Sequence, residues 1–344
     1  MKNVIVLMTA LLPTKGHADL IDFASALPNS HVYVLINGRS FEPIPTRDRL
    51  EALTSHFEEY HNITIKASSR DNAPQNPEDM PEGFWEWWAD EISRNFPETG
   101  NNWGYVVASE PYGLNVAHSI GAEFIPYDID RIINPVRGTE TRADIRGEWD
   151  TILLESRQQL THNVVMFGQE SVGKTTMSRA VAEKFQTAPI MEFARPYLEA
   201  VGEELSEFKM RTITLGQASL QRTVRAHART PINVFDTDLY STVGYYRMWD
   251  GEAPELCTQL AKETKGDKYY VLPDDIPFEP DILRYGDGER ESSTDYWVDL
   301  LEEYGLSYVR VPKGTFEEKL EFIVSDIETD IDAKYAPIKN FNRE

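Results

Sequence analysis

Cysteine, positive charge and long apolar runs are all scarce in this sequence. Its 344 residues include one cysteine, Cys257, which excludes an internal disulfide and a cysteine-based metal cage. No apolar run approaches the roughly 20 residues that cross a bilayer, and the N-terminus lacks the pattern of a signal peptide. We therefore expect a cytoplasmic protein that binds no membrane.

The shortage of basic residues limits what the protein can bind. Lys and Arg number 34 against 57 Asp and Glu, which gives a formal net charge of −23. A surface this acidic repels nucleic acids and anionic membranes. Any bound phosphate must be held by a few local cations and backbone N–H groups. A small nucleotide fits that requirement, and no nucleic-acid partner is expected.

Short apolar runs and helical patterns alternate along the chain. In the first half, the strand candidates are residues 4–8, 31–36, 63–67, 105–108 and 122–127. In the second half, they are residues 163–167, 189–193, 232–235, 269–272 and 308–311. The helices predicted between and after them include 17–27, one beginning at a Thr46 cap, 207–229 and 315–330. Strands that alternate with helices predict an α/β fold with parallel sheets.

The length of the chain favours two domains. We place them at residues 1–150 and 161–344, joined by a connecting helix over 151–160. No Gly-, Ser- or Pro-rich linker separates the halves, so we expect the two domains to pack firmly, with the boundary near Thr161.

The most specific motif lies in residues 163–185. An apolar run is followed by GQESVGKT at 168–175, which matches G-x-x-x-x-G-K-[ST], and then by a helical pattern. Gly168 and Gly173 permit backbone angles that turn N–H groups toward an anion at a helix N-terminus. Lys174 is predicted to contact the β- and γ-phosphates of ATP, and Thr175 to hold Mg²⁺. Ser171 and Thr176 complete the predicted phosphate-binding loop.

An acidic pair follows the apolar run at 232–235. A carboxylate at the tip of a strand beside a phosphate loop is typical of a Walker-B element, which binds Mg²⁺. Asp236 is the better candidate for this chemistry. Asp238 is instead suited to capping the next helix.

The first strand–helix turn lacks the G-x-G-x-x-G of dinucleotide-binding folds. It carries Thr14, Lys15, Gly16 and His17 at a predicted helix start, which is suited to a phosphate. His17 would donate to a phosphoryl group as charge develops on it. The alternative is a capping threonine beside a surface histidine.

A second basic cluster favours the phosphate interpretation. Arg137, Thr139 and Arg142 fall at another predicted helix start, in a chain with a large excess of acids. Two guanidiniums and a hydroxyl suit an extended triphosphate, because Arg forms forked hydrogen bonds to phosphate oxygens. The alternative is a solvated basic turn.

Together these motifs resemble a known family over nearly the whole chain. Thr14-x-Gly16-His17 and Arg137-Gly138-Thr139-x-x-Arg142 resemble the (H/T)xGH and ISxTxxR motifs of nucleotidyltransferases. With SEPYG at 109–113 and the phosphate-loop half, they resemble the NadR family. The resemblance implies a Rossmann-like nucleotidyltransferase domain followed by a P-loop kinase domain.

The resemblance implies two reactions in NAD synthesis from nicotinamide riboside. The second half would phosphorylate the riboside with ATP and Mg²⁺, giving nicotinamide mononucleotide (NMN). The first half would transfer an adenylyl group from ATP to NMN, giving NAD and pyrophosphate. One silent half, or a nucleotide-binding sensor, remains an alternative. A DNA-binding helix-turn-helix found in some relatives is expected to be missing, and a homo-oligomer is left open.

The resemblance also assigns roles to residues. His17 would contact the α-phosphate, and Thr14 and Lys15 would contact the phosphates or Mg²⁺. The β- and γ-phosphates would be bound by Arg137, Thr139 and Arg142. Glu192 and Asp236 both remain candidates for the carboxylate that takes the riboside proton. The candidates for contact with the nicotinamide nucleotide or riboside are Trp87, Glu110, Arg195 and Phe278, with core packing as the alternative for Trp87. Arg284 and Arg290 are predicted to close over the transferring phosphoryl group.

Overall fold

A computed structural model describes residues 1–71, 73–135, 137–202, 204–277 and 292–341. It divides into two compact units, Met1–Gln159 with Tyr335–Glu344, and Leu160–Lys334. Residues 335–341, which the sequence assigned to the second half, pack within the first unit, where Tyr335 and Ile338 are buried. In the described part of the chain, no helix is long and apolar enough to cross a membrane.

The first unit is built on a parallel sheet of five described strands in the order β3-β2-β1-β4-β5. The strands are β1 Lys2–Met8, β2 Ser30–Ile36, β3 Ile63–Ala67, β4 Tyr105–Ala108 and β5 Glu123–Pro126. The helices are α1 Lys15–Ser25, α2 Thr46–His56, α3 Phe84–Asn95, α4 Tyr112–Ile120, α5 Gly138–Ala143 and α6 Leu154–Leu160.

Both faces of this sheet are covered, because side chains alternate along each strand. Val4 and Val6 of β1 pack in one apolar cluster with Ile21 of α1. Ile5 of β1 packs in a second cluster with Trp88 of α3. The continuous apolar run at the start of the sequence therefore forms a strand that is buried on both sides.

The second unit also has a parallel sheet of five described strands, in the order β10-β9-β6-β8-β7. The strands are β6 His162–Phe167, β7 Pro189–Ile190, β8 Ile232–Phe235, β9 Lys268–Val271 and β10 Tyr308–Arg310. The helices are α7 Lys174–Lys184, α8 Ala194–Val201, α9 Glu207–His227, α10 Leu239–Asp250, α11 Glu255–Glu263, α12 Thr294–Glu303 and α13 Phe316–Lys339, of which α13 belongs to this unit up to Lys334. In its core, Trp297 packs edge-on against Phe167, with ring centroids 5.4 Å apart.

The predicted α/β class with parallel sheets is confirmed, but some element bounds differ. The helix predicted at 17–27 begins at Lys15, because Thr14 is its N-cap. The helix after β2 has Pro45 as its N-cap, and the hydroxyl of Thr46 accepts a hydrogen bond from Arg49 instead of capping. The last helix runs to Lys339 instead of ending near 330.

Two further differences concern the ends of strands and the connecting helix. The strand predicted at 189–193 ends at Ile190, so Glu192 lies in the turn before α8. The helix predicted at 151–160 begins only at Leu154. Ile152 is extended and bridges Thr14, and Leu153 N donates to Pro13 O (3.0 Å). This tertiary pairing overrides the local helical pattern.

Candidate phosphate-binding sites

The phosphate loop of the second unit has the backbone that its glycines predict. Gly168 and Gly173 have φ angles of 129° and 86°, in the region that side chains disfavour. Ser171 also has a positive φ, of 56°. Lys174 begins α7, and its Nζ donates to Gly168 O (2.8 Å) and Gln169 O (2.7 Å). The loop is therefore folded around the ammonium group at the start of a helix.

A hydroxyl and a carboxylate meet beside this loop. Thr175 Oγ1 donates to Asp236 Oδ2 over 2.7 Å. Asp236 follows β8 and is 3% exposed. Burial raises the pKa of its carboxyl group, while the Thr175 hydrogen bond and the charge of Lys174 oppose that rise. The other oxygen, Oδ1, is buried and has no hydrogen-bond partner among the described residues.

These two side chains fit Mg²⁺. A buried carboxylate oxygen that lacks a partner, next to a threonine hydroxyl, offers the hard oxygen ligands that this ion prefers. Within the described ranges, no group of three or more His, Cys, Asp or Glu forms a metal cage. An ion held here would therefore take its remaining ligands from phosphate and water, as is usual for Mg²⁺.

The loop opens into a cavity of about 820 Å³. Residues 170–176 form one part of its wall, which includes Ser171, Thr175 and Thr176. Both candidate carboxylates, Glu192 and Asp236, also line it. A cavity of this size accommodates a substrate beside the phosphate loop.

Arg195 lies in the same cavity wall, at the start of α8. Its positive charge, like that of Arg179, works against the raised pKa of Asp236. The loop, the carboxylates and Arg195, all predicted as site residues, are thus brought together. The predicted residues Phe278, Arg284 and Arg290 lie outside the described part of the chain.

The apolar wall of the cavity was not found from the sequence. Tyr245, Met248 and Trp249 project from α10, and Leu198, Met210 and Ile213 come from α8 and α9. The spacing of Tyr245, Met248 and Trp249 puts them on one face of a helix. That pattern was visible in the sequence, but an apolar helical face more often contacts a core than a cavity.

In the first unit, Thr14 and His17 are joined by direct hydrogen bonds. Thr14 is 1% exposed and caps α1. Its backbone N–H donates to His17 Nδ1 (3.1 Å), and its Oγ1 lies 2.9 Å from the same nitrogen. Because Nδ1 accepts, the neutral imidazole carries its hydrogen on Nε2. Thr14 thus supports the imidazole of His17, and its predicted contact with phosphate or Mg²⁺ stays a prediction.

The two motifs of the first unit meet at Gly138. A Cβ atom added there would lie 3.7 Å from His17 Cε1 and 3.6 Å from Arg142 Nη1. Arg142 is half-buried, and burial lowers the pKa of its guanidinium while the charge of Glu42 opposes this. Arg142 stays positively charged, since the ordinary arginine pKa is far above neutrality. A cation and an imidazole donor therefore share one site.

The other predicted residues of this unit lie at the surface or pair locally. Lys15, Arg137 and Thr139 are exposed, and Arg137 Nε lies 3.8 Å from Glu140 Oε1. The guanidinium of Arg70 lies 4.1 Å from the centre of the Trp87 ring. Glu110 pairs with Arg131 at 3.7 Å. Gly16 is the second residue of α1 and has ordinary helical backbone.

Comparisons with known proteins agree with this organisation. Residues 163–319 match the family described as AAA domain. The "Trifunctional NAD biosynthesis/regulator protein NadR" of Escherichia coli is 24% identical over 284 residues, which cover 79% of this chain and 67% of that protein. The protein of the same name from Salmonella typhimurium is 24% identical over 337 residues, covering 92% and 80% respectively.

Solved NadR structures share the fold. One is a complex with NAD and AMP-PNP, with a TM-score of 0.66, 21% identity, and coverage of 100% of this chain and 99% of that one. Another is a complex with NR, with a TM-score of 0.63, 20% identity, and coverage of 100% and 98%. Two parallel-sheet units define an α/β protein, and the second unit carries a phosphate loop. In sequence and fold this chain is NadR-like, which confirms the resemblance seen in its motifs.

Proposed function

We propose that this chain makes NAD from nicotinamide riboside in two ATP-dependent steps. The observation that carries the proposal is the cavity of the second unit. It joins a phosphate loop, two carboxylates and an aromatic wall in one space. A nucleoside kinase needs these three parts to hold ATP, to take a proton and to hold a base. The choice of substrates is supported by a relative named for NAD biosynthesis and by NadR structures that contain NR, or NAD and AMP-PNP.

In the first step, the 5′-hydroxyl of the riboside attacks the γ-phosphorus of ATP, and ADP leaves. Lys174 and the loop N–H groups stabilise the charge on the transferring phosphoryl group. Thr175 and Asp236 would hold Mg²⁺, which neutralises phosphate charge when bound. Because Asp236 is committed to Thr175 and the ion, Glu192 is the better candidate to accept the hydroxyl proton.

The riboside then occupies the remaining part of the cavity. Tyr245 and Trp249 offer aromatic faces to a cationic pyridinium ring. Trp249 is 41% exposed, an unusual degree of exposure for a tryptophan, and stacking on a ligand would cover it.

In the second step, the phosphate of NMN attacks the α-phosphorus of ATP, and pyrophosphate leaves. The chain supplies no covalent nucleophile, so positioning and charge stabilisation carry the catalysis. His17 donates from Nε2 to the α-phosphate, and Arg142 binds the leaving phosphates. Lys15, Arg137 and Thr139 are exposed around this pair and can bind the rest of the triphosphate.

One pair of variants tests the two-site assignment. The protein is incubated with ATP, Mg²⁺ and either the riboside or NMN, and the products are separated. Lys174→Ala should lower riboside phosphorylation at least about 100-fold and spare adenylyl transfer, and His17→Ala should do the reverse. If both folded variants lose both activities equally, the assignment is wrong.

The wild-type protein separates the remaining alternatives. Consumption of only one substrate would favour a chain with a single active half. A wild-type protein that binds ATP and NAD but turns over neither substrate would favour a nucleotide sensor.

A further inference from the structure

One buried amide connects the two turns that carry the candidate carboxylates of the kinase site. Gln217 of α9 is 2% exposed and lines the cavity. Its Oε1 accepts a hydrogen bond from Phe193 N (2.9 Å), next to Glu192. Its Nε2 donates to Thr237 O (3.4 Å), next to Asp236. The side chain of Gln217 therefore bridges the backbone on both sides of the site.

This bridge lies just beyond the end of the sheet. The pairing of β7 with β8 closes where Asp236 N donates to Ile190 O (2.9 Å). Glu192 is two residues past that point, in the turn before α8. The hydrogen bonds between β7 and β8 do not by themselves fix the position of Glu192, because β7 has already ended before this residue.

A second contact holds the same turn against the same helix. A Cβ atom at Gly216 would lie 2.2 Å from Phe193 Cε1 and 2.3 Å from Phe193 Cζ. The ring of Phe193 therefore rests on the backbone of α9, where a side chain does not fit. Gly216 accommodates the Phe193 ring, and Gln217 bonds the Phe193 backbone.

The bonding pattern requires an amide. One end of the Gln217 side chain must accept from an N–H and the other must donate to a C=O, which a carboxylate or an apolar side chain cannot do. Gln221, one turn further along α9, is also fully buried and donates to Thr264 O (3.1 Å). Gln221 is a matched residue whose hydrogen bond leads away from the cavity.

We propose that Gln217 is a positioning residue, which sets the distance between Glu192 and Asp236 for proton transfer from the substrate hydroxyl. The inference rests on the proposed kinase function of this cavity. A carboxylate displaced by about 1 Å can cost on the order of 100-fold in rate. Since Gln217 makes no hydrogen bond to residues 168–175 in the described structure, binding of ATP should not depend on it.

The test compares Gln217→Met with Gln221→Met in the full-length protein. Riboside phosphorylation is measured for kcat and for KM of ATP, and hydrogen–deuterium exchange is followed in peptides covering residues 190–197 and 236–240. We expect Gln217→Met to lower kcat about 10- to 100-fold and to leave KM for ATP within about two-fold. Exchange around Phe193 should rise at least about tenfold. Gln221→Met should change neither kcat nor the exchange around Phe193.

Gly216→Ala perturbs the same turn from the other side. Alanine favours a helix over glycine, but its methyl group would displace the Phe193 ring. We expect Gly216→Ala to lower kcat as Gln217→Met does, although it removes no hydrogen bond of the Gln217 side chain.

Three results would overturn the proposal: unchanged exchange around Phe193, unchanged kcat despite faster exchange, or equal losses of kcat in the two glutamine variants. If the wild-type protein does not phosphorylate the riboside, the proposed function fails. The exchange comparison then still decides whether Gln217 fixes the turn.

Discussion

The hydroxyl of Thr175 donates to the carboxylate of Asp236 over 2.7 Å, between the first turn of α7 and the tip of β8. These residues are 61 positions apart in the sequence. One oxygen of Asp236 is used by this bond, and the other is buried without a partner in the described structure. This arrangement is suited to a divalent ion that binds with a nucleotide.

The first prediction concerns Asp236 and Mg²⁺. Asp236→Asn removes the charge but keeps the shape, so riboside phosphorylation should fall at least about 100-fold and lose its normal dependence on Mg²⁺ concentration. Asp238→Asn is the control, because asparagine caps α10 as aspartate does and the Asp238 carboxylate accepts from Tyr240 N and Tyr269 Oη instead of from Thr175. Similar Mg²⁺ titration curves for Asp236→Asn and the wild type would contradict the metal assignment.

The second prediction concerns the support of His17 by Thr14. Thr14→Val removes the hydroxyl beside Nδ1 and should lower adenylyl transfer about tenfold, while Thr14→Ser should keep most of it. Nitrogen-15 spectra of the histidines should show His17 with its hydrogen on Nε2 in the wild type. A wild-type His17 with its hydrogen on Nδ1 would be incompatible with the bond from Thr14 N.

The third prediction concerns Trp87, whose role in binding NMN remains a prediction. The guanidinium of Arg70 lies 4.1 Å from the Trp87 ring centre and is bonded to Glu91. Loss of this support in Arg70→Ala should raise KM for NMN about tenfold and leave KM for ATP unchanged. Arg94→Ala is the control, since Arg94 also pairs with an acid of α3 but at the surface. Equal KM values for NMN in all three proteins would show that the contact between Arg70 and Trp87 does not contribute to NMN binding.

The fourth prediction is a pH dependence of stability. Glu91 is fully buried, and burial raises the pKa of its carboxyl group. Hydrogen bonds from Ser68, Arg70 and Asn95 together outweigh that effect and lower the pKa from 4.5 to about 2. Since the folded state holds the ionised form, this stabilisation is complete above pH 4.5 and is lost as the pH falls toward 2.

Glu91→Gln isolates this contribution. At pH 7 the variant should unfold with a free energy about 3 kcal/mol lower than the wild type, because a buried charge network is broken. The difference in unfolding free energy between the wild type and the variant should become smaller as the pH falls below 4.5. Urea titrations of both proteins at pH 7, pH 4 and pH 3 measure this difference in unfolding free energy, and a difference that stays constant over this range would show that Glu91 is not held ionised by its neighbours.

Structural features that depend only on residues close together in the sequence were predictable from the sequence. The strands at 163–167 and 232–235, the phosphate loop between Gly168 and Gly173, and the cap at Asp238 all follow from short patterns. Their backbone angles are set by local sterics, which a motif of a few residues specifies. The strand predicted at 189–193 was too long, because the chain after Ile190 turns to follow contacts with α9.

The amino-acid sequence by itself determined the parallel α/β class, the motifs from which two phosphate-binding sites are predicted, and the residue types that each motif offers. Only the tertiary structure decided that Thr14 supports His17, that Ile152 pairs with Thr14, and that Gln217 joins the turns of both carboxylates. Hydrogen bonds between distant residues depend on strand order and on which helix covers which turn. No local pattern encodes those choices, because they are made by burial of the whole core.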